Sequence, residues 1–64
     1  MLIDDDVERI NRLLMPLLGS HRLINEWWDS PNHAFGELTP ADMWKINRKR
    51  VFEYVRSQYR GDYL

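Results

Sequence analysis

The chain has 64 residues, with nine Lys and Arg against ten Asp and Glu, a net charge of −1 and no cysteine. That length holds one domain and excludes the usual enzyme scaffolds built on doubly wound sheets or barrels. The missing cysteines exclude a disulfide staple, a thiolate nucleophile and a Cys-based zinc site.

No internal repeat or low-complexity segment interrupts the chain, and no run alternates at period two, so it reads as all-α: a small compact bundle of three to four helices in a single domain, 1–64. The first helix is expected over 4–18. Val7, Ile10, Leu13, Leu14, Leu17 and Leu18 recur at spacings of three and four and form one apolar face. Asp4, Asp5 and Asp6 place negative charge at the positive end of the helix dipole. Pro16 removes one backbone hydrogen bond near the end, and Gly19 terminates the helix in the left-handed region.

Ser20 caps a second helix that runs to about Asp29, with Leu23, Ile24, Trp27 and Trp28 in one stripe. Ser30-Pro31-Asn32 breaks it, and His33, Ala34 and Phe35 form a single turn closed by Gly36. Thr39-Pro40-Ala41-Asp42 starts the next helix: a capping hydroxyl, a proline at the first helical position and an acid at capping-box spacing. Whether it runs unbroken to Arg60 is left open, because Lys45 to Arg50 is polar and Asn47 suits the cap of a separate last helix. In that last segment Val51, Phe52, Val55 and Tyr59 repeat at helical spacing until Gly61 ends it.

The net charge conceals an asymmetry. Residues 1–44 carry eight acids and three bases, while residues 45–64 carry six bases and two acids. The basic end complements the chain's own acidic half, an acidic protein or a nucleic acid. The acidic start, Asp4-Asp5-Asp6, is unlike a basic secretion signal, and no run of eighteen apolar residues spans a membrane, so the expected location is the cytoplasm.

Catalytic and metal chemistry find little footing. Ser20 and His21 are neighbours on one helix and do not face each other. His21 and His33 lack further ligands, the three aspartates lack calcium-loop spacing, and no glycine-rich phosphate loop is present. No enzyme activity, metal or cofactor is expected. For nucleic acid, the helix after Gly19 offers only His21, Arg22 and Asn25 to bases, whereas Arg48, Lys49, Arg50, Arg56 and Arg60 would suit phosphates.

Eight large rings exceed what a core of this size can enclose. Trp27 or Trp28, Trp44, Phe52 and Val55 are the expected core. The remaining Trp, Tyr and Arg side chains have the composition of an interface hot spot. The end of the chain, with Arg56, Tyr59, Arg60, Tyr63 and the carboxylate of Leu64, reads as a docking element.

Trp27-Trp28-Asp29-Ser30-Pro31-Asn32, then Ala34-Phe35-Gly36, then Thr39-Pro40-Ala41-Asp42-Met43-Trp44 resembles the C-terminal toxin-binding domain of Xre/MbcA/ParS-type antitoxins. An apolar-patterned helix and Gly61-Asp62-Tyr63 resemble the close of that domain. The resemblance covers 18–64, with 1–18 outside it as an amphipathic helix. It implies a protein partner: a RES-type toxin that degrades NAD, whose active-site cleft the C-terminal end of the antitoxin approaches. The partner-binding residues so implied are Trp28, Asn32, Phe35, Arg56, Tyr59, Arg60, Gly61, Asp62, Tyr63 and Leu64. The chain departs from the pattern in three ways. Glu37 stands where a second glycine is common, Lys45 to Arg50 replace a Thr-x-x-Gly link, and the DNA-binding domain that normally precedes this one is absent. A stand-alone inhibitor, of the kind a phage carries against a host enzyme, is the resulting expectation. A small nucleic-acid-binding regulator using the basic last helix and a homo-oligomer joined through residues 4–18 are the alternatives.

Overall fold

The computed structural model describes residues 4–61. Four helices, α1 (Asp5–Leu18), α2 (His21–Asp29), α3 (Pro40–Ile46) and α4 (Arg48–Arg60), and one 3-10 turn (His33–Phe35) account for most of them. No strand forms among the described residues.

Local chemistry sets the helix ends. The Asp4 carboxylate accepts a 2.8 Å bond from the Asp6 amide at the start of α1. At the other end Gly19 adopts φ 93° and its N–H donates to Met15 O at 2.8 Å. Helix α1 continues through Pro16 to Leu18, so the proline is accommodated within the last turn. Ser20 Oγ accepts from the Leu23 amide and Thr39 Oγ1 from the Asp42 amide, satisfying first-turn donors of α2 and α3.

The 40–60 segment is two helices. Asn47, at φ −159° and ψ 88°, interrupts the helical backbone, and α4 restarts at Arg48. No side-chain hydrogen bond from Asn47 caps α4, so the residue breaks the helix through its backbone rather than through its amide.

Helix α4 lies across the others and supplies the centre of the core. Val51 and Val55 are fully enclosed, together with Ile10 and Leu14 of α1, Ile24 of α2 and Phe35 of the 3-10 turn. Burying each such side chain stabilises the fold by about 1.5–3 kcal/mol. The expected aromatic core is corrected here. Of the predicted members only Val55 is buried, while Trp27, Trp28, Trp44 and Phe52 are half-buried and pack around an aliphatic centre. Trp27 and Trp28 share this position, so neither is the single buried tryptophan.

The rings instead form a continuous string. Phe52 meets Trp44 at 5.7 Å, Trp44 meets Trp28 at 5.6 Å, and Trp28 meets Trp27 at 5.2 Å. Trp27 stacks on Tyr54 at 6.3 Å, and Tyr54 meets Phe35 edge-on at 5.3 Å. Six rings thus tie α4 to α3, α2 and the 3-10 turn, mostly in the edge-to-face arrangements that aromatic quadrupoles favour.

The charge asymmetry is met within the molecule. Arg48, at the start of the basic helix, reaches back to Asp4 at 3.1 Å and Asp6 at 3.0 Å, and its guanidinium lies 4.7 Å from the centroid of Trp44. No described helix is long and apolar enough to cross a membrane.

Candidate functional site

Helix α4 ends near an open groove of about 280 Å³ walled by α1, α2 and α4. Leu14, Leu17 and Leu18 line one side, Trp27 and Tyr54 another, and Gln58 supplies the polar edge. Leu17 is 44% exposed although it belongs to the apolar face of α1. Tyr59 follows Gln58 and is 49% exposed, and its hydroxyl donates to the carbonyl of Leu13 on α1. That bond anchors the ring tip and leaves much of the ring in solvent beside the groove. Arg56, one turn earlier at i, i+3, lies exposed on the same helix. Arg60 is also exposed and ends α4. Gly61 closes the helix at φ 76°, its N–H bonded to Ser57 O.

The candidate residues therefore divide. Arg56, Tyr59, Arg60 and Gly61 come together at one end of α4. Asp62, Tyr63 and Leu64 lie outside the described residues. Trp28, Asn32 and Phe35 lie elsewhere, Phe35 buried and Trp28 and Asn32 half-buried. Phe35 is 3% exposed and belongs to the core. The Asn32 side chain accepts from the Ala34 amide at 2.9 Å, and its backbone joins Leu38, Phe35 and Glu37, so it organises the turn. Trp28 is half-buried with its indole N–H bonded to Asn11 Oδ1 at 2.7 Å.

The sequence patterning missed Leu17 and Gln58 as groove residues, because periodicity assigns Leu17 to the core and leaves Gln58 unremarkable. It also passed over Ile46, which is 69% exposed at the end of α3 inside a segment that reads as polar.

The proposed phosphate-binding set is partly engaged within the chain. Arg48 is held by two aspartates, and Arg50 donates to the carbonyl of Ala34 at 2.9 Å. On α1, the segment expected to pair with a second copy, Ile10 and Leu14 are enclosed by the chain's own helices and Leu17 remains exposed. The Ser20 hydroxyl serves as a helix cap. No group of three or more His, Asp or Glu side chains suited to hold a metal forms among the described residues.

Comparisons of the chain with family models, with curated proteins and with solved structures return no match.

Proposed function

We propose that this chain is a protein-binding module of the Xre/MbcA/ParS antitoxin kind, which docks on a RES-type NAD-degrading enzyme with the end of α4 and blocks its active-site cleft. The observation that carries the reading is the pairing of Tyr59, anchored at its hydroxyl and half exposed, with the groove that its chain neighbour Gln58 edges and Leu14, Leu17 and Leu18 line. A ring held in place before binding loses little rotamer freedom on docking, and an adjacent groove accepts an apolar side chain of the partner. Arg56 and Arg60 supply positive charge at the same end, suited to acidic groups around the rim of a partner's cleft.

The turn geometry supports the same reading. Three positions that carry the resemblance each shape the backbone directly, Asn32 and Thr39 as caps and Gly36 as a left-handed residue. Glu37, where a second glycine is common in that family, holds φ 75°, the conformation a glycine favours. The function then follows as occlusion: the module covers the cleft and leaves NAD outside.

Co-elution on a sizing column with a RES-type enzyme tests the docking surface. The unaltered chain is expected to form a complex. Tyr59→Ala is expected to weaken it by about thirtyfold, as for a hot-spot ring worth about 2 kcal/mol, and Arg56→Glu by about tenfold. Equal capture by all three chains would show that the end of α4 is not the contact.

A further inference from the structure

A second groove, of about 540 Å³, opens between α1, α2 and α3 and shares no lining residue with the one beside Tyr59. Trp28, Trp44, Asn11, Asn25 and Asp29 give it its chemistry. We infer that this groove takes the guanidinium of an arginine presented on an extended segment of a partner protein, making it a docking site separate from the end of α4.

The walls are preset. The Trp28 indole N–H is fixed on Asn11 Oδ1 at 2.7 Å, and the Trp28 and Trp44 rings meet at 90° with centroids 5.6 Å apart. Two perpendicular indoles make a corner whose faces carry negative quadrupole potential, which attracts cations. The wall already holds one cation in the folded chain: the Arg48 guanidinium sits 4.7 Å from the Trp44 centroid.

The lining residues of the groove carry charge of one sign. Asp29 is its charged lining residue, and no Lys, Arg or His joins it there. The Asp29 carboxylate has no ion pair or side-chain hydrogen bond among the described residues, unlike Asp4 and Asp6, which bind Arg48. An exposed carboxylate beside an indole corner matches a planar guanidinium, which stacks on a ring and forks two N–H groups onto a carboxylate. Lysine, a compact and strongly hydrated point charge, lacks that fork. Asn11 accepts from Trp28 through its oxygen, so its amide N–H groups remain to donate to a peptide carbonyl, and Asn25 offers both a donor and an acceptor.

The groove also runs on. Asn11 is shared with a neighbouring hollow of about 330 Å³ that Met15 and Pro16 line with His21 and Arg12. The segment that fits therefore carries an apolar side chain next to its arginine.

The test is a titration of the full 15N-labelled chain with the capped peptide acetyl-Gly-Arg-Leu-Gly-amide, followed by the indole N–H signals of Trp28 and Trp44. Saturable shifts of both signals are expected. The same peptide with citrulline in place of arginine, which keeps the shape and removes the charge, is expected to bind about tenfold more weakly. Asp29→Asn is expected to weaken the arginine peptide about fivefold while leaving the fold intact. Asp29 is exposed, and at the last residue of α2 its negative charge faces the negative end of the helix dipole. Indole signals that stay fixed up to about 10 mM peptide would overturn the inference. So would equal binding of the citrulline peptide, or equal shifts from an acidic peptide or a short DNA duplex.

Discussion

Glu37 sits at φ 75° immediately after Gly36 at φ 65°, so two consecutive residues hold left-handed backbone. Glycine adopts that conformation freely, whereas a residue with a Cβ loses about 1 kcal/mol or more there. The strain is held by the turn itself: the Glu37 amide donates to Asn32 O, and the Asn32 amide donates to Leu38 O. Glu37→Gly should therefore leave stability unchanged or raise it by up to about 1 kcal/mol, with relief of strain offset in part by the freer unfolded chain. Glu37→Val, β-branched at the same φ, should lower it by more than about 1 kcal/mol. Urea denaturation of both variants checks the pair. At this scale the sequence was legible wherever a residue acts on its own neighbours. Ser20, Thr39 and Gly19 cap as their chemistry dictates. Trp28 was not legible, because its partner Asn11 lies 17 residues away and only the packing of α1 on α2 brings the two together.

The helices show where local signals stop. α1, α2 and the 3-10 turn begin and end close to where Asp4, Ser20, Pro31 and the glycines place them. The break at Asn47 was visible only as an alternative, since asparagine suits both a cap and a polar helix face. Its backbone turns away from helical angles, yet its side chain makes no capping bond. The two N-caps should therefore differ in weight. Thr39→Ala removes the acceptor of the Asp42 amide and should cost about 1 kcal/mol, while Asn47→Ala should cost only a few tenths. Thermal unfolding of the two variants, side by side, reads that difference. The residues proposed for docking follow the same division. The exposure of Tyr59 and Arg56 follows from the α4 pattern, but the exposure of Leu17 does not, since it depends on how far α4 extends over α1.

The molecule as a whole is held by a small aliphatic centre ringed by half-buried aromatics. A domain of this length hides only about 60% of the surface its unfolded chain exposes, so each enclosed side chain carries a large share of the stability. Ile10, fully enclosed between α1 and the other helices, is the sharpest case. Ile10→Ala should cost about 2–5 kcal/mol and leave much of the chain unfolded at room temperature, seen as loss of the helical circular dichroism signal. The Arg48 cluster contributes less. Its side chains are a third to a half exposed, and such pairs are worth about 0–1 kcal/mol and weaken with salt. Its role is to join the two oppositely charged halves, a pairing that the charge asymmetry suggested but that only the fold brings into register. The surfaces proposed for docking are the end of α4 with its groove and the tryptophan corner, which share no lining residue.

The proposed occlusion of an NAD-degrading enzyme by the end of α4 is read directly as NAD consumption by a RES-type enzyme while this chain is added. A stoichiometric fall toward zero is expected with the unaltered chain, and little fall with Tyr59→Ala at the same concentration. Full NAD consumption in the presence of excess unaltered, folded chain would contradict it.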